Sequence, residues 1–181
     1  QIMIVLKTMC LCSCCAGTRE MSSGKILVYD SAGNYLLKLT GDVRVTLCGA
    51  LNRHMDRSFG SSAVNQVVID MLEAECLDST TLGILAKLGF HCRREYGVDA
   101  KIFCHNPSIL RMLEVMGFNE IFEIFDQDIN KSFATIALEP LTSEDAEIRR
   151  QVLEAHKTLI ELCPDNNAQF YDLINALESS S

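Results

Sequence analysis

The order of apolar and polar positions divides the chain into elements. Residues 25–29 and 35–39 are short apolar runs separated by Ser31-Ala-Gly-Asn34. Gly and Asn accept the positive φ of a tight turn, so these runs predict a β-hairpin that Gly41-Asp42 closes. Leu47, Ala50, Leu51, His54, Met55 and Phe59 then recur at helical spacing, and Gly60-Ser-Ser ends that helix. Val67, Val68 and Ile69 are β-branched and contiguous, the pattern of a strand buried on both faces. Polar residues follow as far as Asp78 and Ser79. From there Leu82, Leu85, Ala86, Gly89, Cys92 and Tyr96 repeat at the spacing of one helix face, up to Gly97. A strand ends, the chain turns, and a helix begins near Ser79.

Residues 101–104 predict another short strand. Pro107 opens a helix that Gly117 stops, and residues 121–125 read as a final strand or a short helical turn. Strands separated by helices of these lengths imply βαβ crossovers and a mixed sheet with helices on one face, an α/β fold. Residues 133–138 suggest a further strand, broken by Pro140. Thr142-Ser-Glu-Asp145 is close to a capping box. A helix of about 20 residues follows, with Ile148, Val152, Leu153, Leu159 and Ile160 on one side. Pro164-Asp165 ends it and starts a last helix bearing Phe170, Leu173, Ile174 and Leu177. These two make a C-terminal helical hairpin whose apolar stripe must pack on the domain core, on another protomer or on a partner. The oligomeric state stays open at this level. The resulting division is a segment at 1–20, a domain at 21–126 and the extension at 127–181.

Composition narrows the function. Of 181 residues, 48% are hydrophobic and 22% charged, the balance of a soluble globular protein. A net charge of −8 without a basic cluster argues against nucleic acid as a direct partner. No apolar run approaches the roughly 18 residues that a membrane span needs. Nine cysteines, odd in number and irregular in spacing, are not a disulfide framework. Cys48, Cys76, Cys92, Cys104 and Cys163 lie in apolar segments and read as small hydrophobes of a reducing, cytoplasmic protein. The cluster Cys10, Cys12, Cys14 and Cys15 lacks a second ligand pair at zinc spacing, so no metal or other cofactor is expected. His54 has Ser58, not His or a carboxylate, four residues on, and reads as a partly buried helix residue. Residues 1–20 match nothing else in the chain and precede Met21-Ser-Ser-Gly, which reads like a natural start.

The candidate chemistry sits where the central strand gives way to its helix. Asp78 and Ser79 are residue types that cap a helix N-terminus, and a cap alone would explain them. The rest of the helix adds to this. Ser79, Gly83, Lys87, Phe90 and Arg94 share one stripe away from the centre of the core face. Gly83 costs about 1 kcal/mol against Ala in a helix interior, which either a close partner or tight internal packing would explain.

The run Leu77-Asp-Ser-Thr-Thr-Leu-Gly83 after a strand and before an amphipathic helix resembles the STAS domain of bacterial anti-sigma-factor antagonists. Their signature is Asp-Ser-Ser/Thr-Gly-Leu-Gly. Asp78, Ser79, Thr80, Leu82 and Gly83 match it, whereas Thr81 stands where the family usually has Gly. Arg44 likewise stands where many members have Asp, so no nucleotide-related role carries over. The resemblance spans residues 25–125 and implies a STAS fold. It also implies partner switching in transcription regulation and signal transduction. Ser79 would be the phosphorylation site, and Asp78, Thr80, Thr81, Gly83, Lys87, Phe90 and Arg94 the partner-binding surface. The implied partners are an anti-sigma factor or related regulator, a serine kinase and a phosphatase. The extension is similar to that of a longer, stand-alone subgroup in Gram-negative bacteria that controls motility and biofilm switching.

Two other classes compete with the phospho-switch. One is a constitutive binding module in which Ser79 is only a cap. The other is a small hydrolase with Ser79 as nucleophile and His54, His91 or His105 as base. No Gly-x-Ser-x-Gly elbow surrounds Ser79 and no glycine-rich phosphate loop is present, so the expectation is a protein that is not an enzyme.

Overall fold

The computed structural model describes residues 22–58, 64–129 and 135–179. The expectations for residues 1–20, for Cys10 to Cys15, and for Phe59 and Phe133 lie outside them. Among the described residues the elements run β1 (Lys25–Ser31), β2 (Asn34–Val43), α1 (Val45–Ser58), β3 (Gln66–Leu77) and α2 (Ser79–His91). Then come β4 (Ala100–Phe103), α3 (Pro107–Val115), β5 (Phe122–Phe125), β6 (Ile136–Ala137), α4 (Asp145–Leu162) and α5 (Asn167–Ser179). The strands form one mixed sheet in the order β5-β4-β3-β2-β1-β6. β1 is antiparallel to β2 and β6, and the pairs β2/β3, β3/β4 and β4/β5 are parallel.

The β1–β2 turn forms as expected, but Ala32 (φ 51°) and Gly33 (φ 79°) occupy its positive-φ positions, and Asn34 already belongs to β2. An Ala in that region shows how strongly the flanking pairs hold the hairpin. β3 sits at the centre of the sheet and is far longer than the apolar triplet at 67–69. Its second half continues through Glu73, Ala74, Glu75 and Cys76, whose side chains alternate between exposed and buried. These polar residues are the outward face of a half-solvated strand rather than a turn. Against β2 the register slips twice, so that Thr40 faces Glu73 and Asp42 faces Cys76. Each slip fits an additional residue into β3, as a bulge does.

The core lies between the sheet and its helices. Leu37, Leu39, Ile69, Met71, Leu77, Leu51, Leu82, Leu85 and Leu88 are sealed from solvent. α2 ends in a single π-helical turn, Cys92–Tyr96, which Gly97 closes with φ 64°. α3 starts at Pro107 with Asn106 accepting the Ser108 amide, and stops before Gly117 at φ 85°. Of the two readings of residues 121–125 the strand is the one that forms, as β5, and the 3₁₀ turn Phe118–Glu120 precedes it. β5 is not the last strand, because β6 adds two residues to the β1 edge.

The C-terminal hairpin packs on the domain itself. α4 begins with Glu144 in the capping position and without a side-chain cap, so the box anticipated at Thr142 and Asp145 does not form. Val152, Ala155, His156, Leu159 and Leu162 line its buried side, with Phe170 and Leu173 of α5 closing over it. Leu153 lies off that stripe and stays half-buried. At the hairpin turn the buried Asn166 amide donates to the carbonyls of Leu159 (2.7 Å) and Met116 (3.2 Å), tying the hairpin to the end of α3. No helix among the described residues is long and apolar enough to cross a membrane.

Candidate functional site

The site begins with Asp78. Its backbone is extended (φ −91°, ψ 165°), as a helix cap requires. Oδ1 accepts from the Thr81 amide (2.8 Å) and the Thr81 hydroxyl (2.8 Å). Oδ2 accepts from the amide of Val45 (2.6 Å), the first residue of α1. One carboxylate therefore serves the N-termini of two helices. Burial pushes the Asp78 carboxyl up from its ordinary value, and the bonds from Thr81 and Val45 pull it back. Asp78, not Ser79, is the cap. Thr81 fits where the resemblance expects Gly because its hydroxyl bonds to this carboxylate.

Ser79 is then the first residue of α2, and its side chain turns to α4 rather than to solvent. Ser79 is 1% exposed and His156 is sealed. Ser79 Oγ lies 2.9 Å from His156 Nε2, and His156 Nδ1 lies 2.6 Å from the Val152 carbonyl. A carbonyl only accepts, so Nδ1 carries a proton and donates to it. Burial lowers the tendency of His156 to take a second proton. The ring is neutral, Nε2 accepts, and the Ser79 hydroxyl donates. The Phe170 ring meets the imidazole edge-on at 4.7 Å and seals its far side.

The remaining stripe residues follow the same helix. A Cβ added at Gly83 would stand 2.6 Å from Ala155 Cα and closer still to the Ala155 carbonyl. Gly83 is thus where the backbones of α2 and α4 nearly touch. Lys87 Nζ pairs with Glu154 Oε1 at 2.8 Å, and Arg94 Nη2 lies 3.9 Å from Glu161 Oε1. Phe90 packs half-buried against the core. Asp78, Thr80, Thr81 and Gly83 are all buried, whereas Lys87 and Phe90 are partly open and Arg94 is exposed. α4 covers the buried start of the stripe at Ser79 and Gly83, pairs with Lys87, and reaches toward the exposed Arg94 with Glu161.

The three bases considered for a nucleophilic Ser79 lie elsewhere. His54 stacks on Tyr35 and bonds to Ser58, His91 packs against Tyr96, and His105 pairs with Asp126 and Asp128. Sequence reasoning missed His156, the residue that meets Ser79. The signal was present: His156 stands four residues after Val152 and three before Leu159, in the middle of an apolar stripe. A polar side chain there needs a buried partner. Its pairing with Ser79 resembles a nucleophile and base, but both groups are buried and no carboxylate orients the ring. Among the described residues no group of His, Cys, Asp and Glu could hold a metal ion.

A mixed sheet whose central strand delivers Asp-Ser-Thr to a helix start defines a class of α/β domains. A family model for the STAS domain matches residues 25–128, and the chain belongs to that family. Among solved structures it is similar to an anti-sigma factor antagonist from Mycobacterium paratuberculosis, with 23% identity and a TM-score of 0.49. That similarity covers 58% of this chain and 87% of the other. No curated protein matches it.

Proposed function

We propose that this STAS protein is a binding regulator of the bacterial cytoplasm that takes an anti-sigma factor or related regulator on the α2 stripe. A serine kinase modifies Ser79 and ends the interaction, and a phosphatase restores it. One observation supports this reading above the others: the stripe is a surface that seats a helix. It offers a hydroxyl at the helix start, a glycine that admits a second backbone, and two cations beyond. A phosphate adds nearly two negative charges and bulk at a place where a neighbouring helix lies within hydrogen-bond reach. The N-terminal end of α2 tolerates the charge, so the domain keeps its fold. Catalysis fits less well, because Ser79 and His156 are shut off from any substrate.

The test is phosphosite mapping on protein recovered from its native host, followed by co-purification with wild type, Ser79→Ala and a phosphoserine variant at 79. The reading requires modification at Ser79 rather than Thr80 or Thr81. It also requires a regulator that the unmodified protein retains and the phosphoserine variant loses. Equal retention by all three forms would favour a constitutive binding module.

A further inference from the structure

We infer that the C-terminal hairpin is an internal competitor for the partner surface: α4 occupies the α2 stripe, and an external helix or a phosphate on Ser79 can replace it but not coexist with it. The inference deepens the switch reading and rests on that reading for the partner's role.

The contact between α2 and α4 combines core burial with a close backbone approach and particular polar pairs. Its centre is Gly83 against Ala155, two small residues in backbone contact. Nothing larger fits there, so the surface admits one helix at a time. Around that point buried apolar side chains of α4 (Val152, Leu159, Leu162) lie beside position-specific polar contacts: Ser79 to His156, Lys87 to Glu154, Arg94 toward Glu161. Such contacts select a register and can be exchanged for equivalent ones. The last two are partly or largely exposed, so they contribute little to holding α4 down.

α4 also indicates what the competing helix looks like. It sets a small residue against Gly83, a hydrogen-bond acceptor against Ser79, and carboxylates against Lys87 and Arg94. An acidic amphipathic helix with a small residue at its centre matches the same stripe. Such a partner meets the chain with its surface taken, so its apparent affinity falls by the fraction of molecules that are open.

The phosphate follows from the same geometry. Ser79 Oγ has an imidazole nitrogen at 2.9 Å and is shut away from solvent, and the buried Asp78 carboxyl precedes it in the chain. A phosphoryl group leaves no place for the His156 ring and brings a second anion beside Asp78. The hairpin must leave before the group is added and cannot return afterwards. The kinase therefore acts on the open form, and the phosphorylated protein is open.

The test uses the full chain in four forms: wild type, phosphoserine encoded at position 79 by amber suppression, Gly83→Leu and Ser79→Ala. Amide hydrogen exchange is read by mass spectrometry. Phosphoserine and Gly83→Leu should each speed exchange across residues 145–179 by about tenfold or more, while β3 and β4 keep wild-type protection. Ser79→Ala, which removes the bond without adding bulk, should change exchange in the hairpin by less than either. Wild-type protection of residues 145–179 in both the phosphoserine and Leu forms would overturn the proposal. Loss of protection in β3 and β4 together with the hairpin would overturn it too, because the hairpin would then be part of one cooperative unit. Release of the hairpin by phosphoserine without any change in regulator binding would leave this inference standing and sink the switch reading.

Discussion

α2 has two sides that carry different kinds of contact. Toward the sheet it presents Leu82, Leu85, Ala86 and Leu88, all sealed among other apolar side chains. Toward α4 it presents a hydroxyl, a bare glycine and a lysine, each met by a particular atom of the other helix. The first side gains free energy from area removed from water, which no single geometry controls. The second adds contacts that depend on position to the burial of Val152, Leu159 and Leu162. A helix built this way can stay fixed to its sheet while exchanging what lies on its other face.

The sharpest way to break this contrast is Leu85→Ala. Truncating a sealed core leucine should cost about 2–5 kcal/mol, seen as a lower urea midpoint for the sheet and hairpin together. If only the hairpin loosened, the sheet-facing side would not be the permanent one.

Asp78→Ala comes next. It removes the α2 cap, worth about 0.5–2 kcal/mol, and leaves the Val45 amide without its side-chain acceptor, at a further cost of about 1–3 kcal/mol. Denaturant unfolding should show a larger loss than for Ser79→Ala, which takes no cap away. Equal losses would mean that Ser79, not Asp78, holds the start of α2.

Acid should act on the hairpin through His156. Its folded pKa is held below the ordinary value of 6.5 by burial. The unfolded or undocked chain therefore binds more protons as pH falls through 6.5, and docking weakens in that direction. Protection of residues 145–179 should be complete above this window and decline below it. His156→Gln should flatten the dependence. His54, also held low by burial, lies on α1 and His105 beside Asp126 and Asp128, so exchange confined to the hairpin separates their effects. A hairpin that became better protected on acidification would contradict the neutral ring.

The smallest effect belongs to Lys87→Ala. Both members of the Lys87–Glu154 pair are about two-fifths exposed, at 40% and 44%. Such a pair contributes about 0–1 kcal/mol. The global midpoint should barely move, and a large shift would show that Lys87 does more than pair on the rim.

The sequence shows some of these features more clearly than others. The hairpin turn, the helix start at Ser79, the stop glycines and the amphipathic pair after Pro140 all follow from local rules, and the structure contains them. The length of β3 does not, because Glu73 and Glu75 look like a turn until the neighbouring strand makes every second position outward. The stripe from Ser79 to Arg94 is visible as a helix face, but its cover is not. That cover depends on Gly83 meeting Ala155, a contact between residues 72 positions apart that neither segment specifies alone. His156 was hidden for a related reason: an apolar pattern registers a polar residue as a gap, whereas here it is the centre of the contact.

The double attachment of Asp78 has a consequence for the order in which the chain folds. The carboxylate that receives the first amide of α1 comes from a residue 33 positions later. It reaches that place only when β3 lies parallel to β2. Until this long-range pairing forms, the first turn of α1 is an open end, and the closing of the loop must precede the reward. Mutations at the start of α1 should therefore change the unfolding rate far more than the folding rate, with φ-values near zero at Val45 in a chevron analysis.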